Sequence, residues 1–139
     1  MNQNNRPLGW TTLEEAQQLV EAGLPVETAD MHYLKIIREN DVRYIPELLL
    51  DDNECDIPCW SLGALVQVLP LNIQTGDSFL DKYNLEFKLY SEYKYKIAYC
   101  LSQSHYPMIY TEEYKTLIEA CVEMIIWLLN NKFYEQEKC

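Results

Sequence analysis

Between Thr116 and Leu129 the chain carries a segment that is apolar on nearly every side, interrupted only by Glu119 and Glu123. Thr116 followed three positions later by Glu119 is a capping box, in which each side chain satisfies the other residue's main-chain N–H, so the segment is expected to start as a helix. A helix with one apolar stripe can lie on a surface, whereas one that is apolar all round has to be covered from several directions. Leu117 to Leu129 is thirteen residues, short of the ~20 that a membrane span needs, so the cover has to be protein. If a sheet covers one stripe, Ile118, Val122, Ile126 and Leu129 are left for other helices or for a second subunit, and they are candidate interface residues.

The upstream chain supplies such surfaces. Leu13, Ala16, Leu19 and Val20 fall on one helical face, Thr12 and Glu15 form another capping box, and Gly23, Leu24 and Pro25 provide the stop, with Leu24 placed to fold back onto Leu19. Residues 1 to 9 are polar and are expected to fray. Two β-prone runs, Met31 to Ile37 and Val42 to Leu49, flank Arg38, Glu39, Asn40 and Asp41, which predicts a hairpin. A helix over Ala29 to Arg38 is the alternative. Pro46 assigns the second run to a sheet edge. Ser61 suits the cap of a short helix with Leu62, Leu65, Val66 and Leu69 on one side and Pro70 beyond its end. Leu85, Phe87 and Leu89, then Tyr93, Tyr95, Ile97, Tyr99 and Leu101, alternate with Glu86, Lys88, Lys94 and Lys96, the pattern of a second, half-solvated hairpin. The expected fold is α+β: a small antiparallel sheet of about four strands from two hairpins, packed with two or three helices in the order α-β-β-α-β-β-α.

Composition narrows the setting. A chain of 139 residues with 48% hydrophobic content is expected to form a single domain over residues 1–139. Twenty-two acidic residues against eleven basic ones leave a net charge of −11, and that field repels phosphate backbones and anionic bilayers, so neither nucleic acid nor a membrane is an expected direct partner. Met1 to Trp10 has one Arg and no apolar run, unlike a signal or transit peptide, so a cytoplasmic location is expected. Five cysteines cannot all pair within one chain, and without export they are read as thiols.

Residues that could carry chemistry do not assemble into a recognisable set. Cys55, Cys59, His32 and His105 hold suitable donor atoms, but no second close pair completes a zinc site, so no metal is expected. The acidic run from Asp51 to Asp56 lacks the central Gly and final Glu of a calcium loop. Ser61 has no glycine-flanked elbow and reads as a helix cap, while Asp56 and Glu54 oppose any lowering of the Cys59 thiol pKa, so no catalytic residue is assigned. Gly9, Gly23, Gly63 and Gly76 are too scattered for a phosphate loop, and no cofactor is expected. Lysine, by contrast, is concentrated. Lys82, Lys88, Lys94 and Lys96 place four of the eleven basic residues within fifteen positions, and Lys88, Lys94 and Lys96 should share the polar face of the second hairpin. With Tyr90 as a stacking ring they are the candidate site for a small anionic ligand. A solvated sheet face with Glu86 and Glu92 as cross-strand partners fits the same pattern. Trp60, beside the Ile57-Pro58 turn, is either a core anchor or an interface hot spot.

Three stretches, Thr28-Ala29-Asp30-Met31, Asp56 through Leu65 (Asp-Ile-Pro-Cys-Trp-Ser-Leu-Gly-Ala-Leu) and Ala120-Cys121-Val122-Glu123-Met124-Ile125, resemble the landmarks of a family of small uncharacterised proteins carried by prophages and mobile elements of gut Bacteroidetes. The resemblance spans nearly the whole chain and implies an accessory, phage-linked role. It implies no activity, cofactor or catalytic residue.

The expected function is that of a non-enzymatic acidic interaction protein that contacts another protein and can form a homodimer. The alternatives are a binder that sequesters a nucleotide signal in phage counter-defence and, third, a DNA mimic, whose acidic spacing the interspersed lysines disturb.

Overall fold

The computed structural model describes residues 9–48, 57–74, 82–91, 94–101 and 107–132. Among them are three α-helices, α1 (Leu13–Ala22), α2 (Leu62–Val68) and α3 (Leu117–Asn130), a 3-10 turn at Val26–Thr28, and seven strands. The strands are β1 (Met31–Arg38), β2 (Asp41–Leu48), β3 (Ile57–Cys59), β4 (Asn72–Gln74), β5 (Lys82–Ser91), β6 (Lys94–Leu101) and β7 (Pro107–Tyr110).

The helix ends follow from their caps. Thr12 accepts from the Glu15 N–H while Glu15 accepts from the Thr12 N–H, and Thr116 and Glu119 do the same for α3. Gly23 takes φ 104°, the left-handed conformation that a residue with a Cβ resists. That turn lets the Leu24 N–H reach the Leu19 carbonyl at 3.0 Å and buries both leucines. Ser61 caps α2 by accepting from the Ala64 N–H at 3.2 Å.

The α+β class and the helix–hairpin–helix–hairpin–helix order hold, with one refinement: each hairpin seeds its own antiparallel sheet. β1 and β2 join β3 in the order β2-β1-β3, and β5 and β6 are flanked in the order β4-β5-β6-β7. The segment from Ala29 to Arg38 is strand rather than helix from Met31 onward, as β-branched Ile36 and Ile37 favour. α1 packs against β3 on one side and α3 on the other, α2 also packs on α3, and α3 rests on β6, so the helices connect the two sheets.

This arrangement covers the apolar helix. Ile118 and Val122 are buried, Ile126 and Leu129 are half-buried, and all four belong to or pack against one cluster that also holds Leu19, Leu65, Ile97 and Tyr99. Ile118 and Val122 are therefore buried within the chain, and a second subunit is not needed to bury them. A second cluster, Met31, Tyr33 and Cys59 with Trp10 and Leu13, fills the space between β1, β3 and the start of α1.

Trp60 is a core anchor. It is 0% exposed, and its indole N–H donates to Thr28 Oγ1 at 2.9 Å while its main-chain N–H donates to Thr11 Oγ1 at 3.2 Å. Its place as an interface candidate is thereby corrected: a side chain with no exposed surface makes no contact with a partner. Among the described residues, no helix is long and apolar enough to cross a membrane.

Candidate functional site

Three surfaces could carry a function. The first is the lysine face of the second hairpin. The strand register sets Lys88 directly opposite Lys96, and Lys94 opposite Ser91 beyond an irregularity between Leu89 and Ser91. Lys88, Lys94 and Lys96 thus lie on one face as expected, but like charges are paired across the ladder, which is destabilising unless each is compensated. Compensation is local. Glu86, two residues back along the same strand, holds the Lys88 ammonium at 3.0 Å, and the Lys96 ammonium sits 4.6 Å from the centre of the Tyr110 ring. Ala98 and Cys100, beyond Lys96 on the same face of β6, are fully buried. Glu86, one of the two carboxylates expected as cross-strand partners, reaches Lys88 along its own strand. The side chain of Tyr90 lies outside the described part of the structure, as does Glu92.

The second surface is an open groove of about 510 Å³ between α1 and α3, lined by Glu15, Gln18 and Glu21 from one helix and Glu119, Val122, Glu123 and Ile126 from the other, with Tyr114 at its end. Burial, together with the carboxylates of Glu119 and Glu14, raises the Glu15 pKa, while its bonds with Thr12 act in the opposite direction. The Tyr114 hydroxyl is pushed up to about 12 by burial and by its hydrogen bond to Glu123.

The third surface is the β1–β2 hairpin. Met31, Tyr33, Lys35 and Ile37 lie on one face opposite Leu48, Pro46, Tyr44 and Val42, and His32, Leu34, Ile36 and Arg38 lie on the other opposite Glu47, Ile45, Arg43 and Asp41. Only the base of β1 is buried. Ile37 is 68% exposed, Leu48 65%, Val42 50%, Ile45 40% and Tyr44 37%, so five of the large apolar residues that this molecule shows to solvent sit on one hairpin, four on one face and Ile45 on the other. Pro46 pairs with Tyr33, and a proline has no N–H to give, so at this position the main chain of β2 points away from β1 toward the open edge. Pro58 stands opposite His32 in the neighbouring β3 ladder, one residue out of phase, as the alternation of an antiparallel sheet requires.

The residues considered for chemistry are placed apart or locked. Cys59 shares a face with Met31, whereas His32 points to the opposite face, so the two cannot bind one ion. Cys55 and His105 lie outside the described residues. Among the described residues, no group of three or more His, Cys, Asp or Glu side chains is arranged to hold a metal ion. Burial pushes the Cys59 thiol up to about 11, with bonds from Thr11 and Tyr33 acting against it and Asp30 adding to it. The Ser61 hydroxyl donates to Asp30 Oδ2 and accepts from Ala64, so it is engaged as a cap.

A cluster not foreseen from the sequence centres on Thr11, which is fully buried. Its carbonyl accepts from the Tyr33 hydroxyl at 2.6 Å, its N–H donates to the Trp60 carbonyl at 2.9 Å, and its hydroxyl receives the Trp60 N–H. Asp30 accepts from the Ser61 N–H at 2.9 Å. Thr28 and Asp30 are thus bonded to Trp60 and Ser61, and these residues bind the chain to itself. No protein-family model, curated protein or solved structure matches the chain, so the resemblance to prophage proteins rests on those stretches alone.

Proposed function

We propose that the chain is a non-enzymatic interaction protein that docks onto another protein chain through the β1–β2 hairpin. The observation that carries this reading is the exposure of Ile37, Val42 and Leu48 together on a single hairpin. Burying apolar area is worth about 25 cal/mol per Å², and a surface of this kind left in water on one face of a strand pair is a contact site or an aggregation hazard. Pro46 at the open edge blocks continuous strand addition, which leaves side-chain contact as the mode of docking. An accessory role in a prophage or mobile element and a cytoplasmic setting belong to the same proposal.

The lysine face supports an anionic ligand less well, because Glu86 already neutralises Lys88 and the Tyr110 ring already receives Lys96. Two measurements on the full chain decide between the readings. With lysine at both Val42 and Ile45, coelution with a protein partner is expected to be lost while the melting curve is kept, and a panel of nucleotides and inorganic anions is expected to leave the melt of the unaltered chain in place. A nucleotide present at 100 times its Kd would add about 2.7 kcal/mol; a shift of that size, abolished by Lys94→Ala, would overturn the hairpin reading in favour of the lysine face.

A further inference from the structure

Resting on the hairpin reading, we infer that the occupant of the β1–β2 hairpin is an amphipathic helix of another protein, with a carboxylate set in its apolar stripe. Ile37, Val42, Tyr44 and Leu48 share one face of the hairpin, on the same side as Met31, Tyr33 and Cys59 at the base of the sheet. A helix already covers that base, since Met31, Tyr33 and Cys59 pack beneath Trp10 and Leu13, just before and at the start of α1. Farther out the same face stands in water, so an added helix extends a layer that the chain itself begins. The dimensions match. Two strands ~4.8 Å apart make a ribbon roughly 10 Å wide, about the diameter of one helix with its side chains. Val42 and Leu48, six residues apart in β2, are separated by about 20 Å, the length of about 13 helical residues. A second sheet would overhang so narrow a ribbon, and strand addition along the β2 edge is interrupted at Pro46.

Charge specifies the occupant further. Among the described residues of β1 and β2, Lys35 is the one charged side chain on this face, directly across the ladder from Tyr44. Arg38, Asp41, Arg43 and Glu47 lie on the other face, where Asp41 holds Arg43 at 2.7 Å and Glu47 stands 3.4 Å from His32. Lys35 is exposed, and among the described residues no carboxylate lies within ion-pair reach of its ammonium. A helix laid over Ile37 and Tyr44 takes water from that ammonium, and a charge buried without a partner costs far more than one that meets a carboxylate. An Asp or Glu within about one turn of the residues that meet Ile37 and Tyr44 supplies the partner. A stripe interrupted by Lys or Arg would instead set two cations together in the contact. The Debye length is ~8 Å at physiological ionic strength, so near neighbours, rather than the net charge of −11, decide which charge Lys35 accepts.

The test starts from a photoreactive amino acid at Val42 of the full chain in cells, with the cross-linked segment sequenced by mass spectrometry. That segment is then synthesised as a peptide and titrated into the purified full chain by fluorescence anisotropy, with circular dichroism read on the same mixtures. The expected segment has apolar residues at i, i+4 and i+7 with an Asp or Glu among them, and it gains helical signal on binding. Lys35→Glu is expected to weaken the peptide by about tenfold or more with an unchanged melt, and a peptide with lysine in place of the carboxylate is expected to restore the binding. Lys35→Arg, which keeps the charge, is expected to bind like the parent. A peptide that fails to bind, that binds without gaining helix, that has no carboxylate in its stripe or that ignores Lys35→Glu overturns this inference and leaves hairpin docking in place. The absence of any adduct at Val42 is the separate result that removes the hairpin function itself.

Discussion

Thr11 joins more of the molecule than any residue the sequence singles out, because its side chain and main chain serve Trp60 and its carbonyl serves Tyr33. Thr11→Val keeps the shape and removes the hydroxyl, so the buried Trp60 N–H loses its acceptor, a loss that costs about 1–3 kcal/mol. Urea unfolding is expected to show that loss for valine and to show Thr11→Ser close to the parent. Nothing in the sequence marks Thr11, since its partner lies 49 positions away and a threonine beside a capping threonine looks like part of the cap. Glu15 was legible as a capping residue, but its environment was not, because Glu119 belongs to a helix a hundred residues on. Since the folded chain holds the Glu15 proton more readily than the unfolded one, stability falls as pH rises from the ordinary value of 4.5 through the raised value, and is flat above it. Glu15→Gln retains an oxygen for the Thr12 N–H and cannot ionise, so thermal melts at successive pH values are expected to lose that decline and to place the variant at or above the parent at pH 7. The thiols give a further outcome: with Cys59 pushed up to about 11 and Cys121 to about 12 by burial, iodoacetamide at pH 8 is expected to label neither in the folded chain and both after unfolding, as read by peptide mass.

At the scale of elements, periodic segments and capped helices were readable and the shortest strands were not. Both capping boxes, the alternation of β5 and β6 and the edge placement of β2 by Pro46 follow from local rules that need no knowledge of neighbours. β3, β4 and β7 are three or four residues long, too few to show a period, and exist through their pairing with β1, β5 and β6. The allotment of the two hairpins to separate sheets is likewise a matter of packing. The lysine face shows the same boundary: alternation puts Lys88 and Lys96 on one side, but only the register sets them opposite each other, and only the side-chain geometry brings Glu86 to Lys88 along the same strand. Removal of the α2 cap offers a check on an element that is too short to persist unsupported. Ser61→Ala loses the Ala64 bond, worth about 1 kcal/mol for a cap, together with the bond to Asp30. A fall in unfolding free energy of about 2 kcal/mol is expected, since hydrogen bonds to charged groups are worth about 1.5–3 kcal/mol.

For the molecule as a whole, the apolar α3 that had to be covered is covered from within, by α1 and α2 on one side and β6 on the other. Five of the large apolar residues that stay exposed lie not on the helix face marked by Ile118 and Val122 but on a hairpin that the sequence shows only as two β-prone runs. Exposure, unlike periodicity, depends on what the rest of the chain fails to reach, and in β2 the chain reaches only Pro46. The most direct test of this account is a photoreactive amino acid placed in turn at Val42, Lys94 and Gln18, one position on each of the three surfaces, and irradiated in cells that express the full chain. A discrete protein adduct at Val42, absent at Lys94 and Gln18, is the predicted result; adducts confined to Lys94 or Gln18 would contradict it.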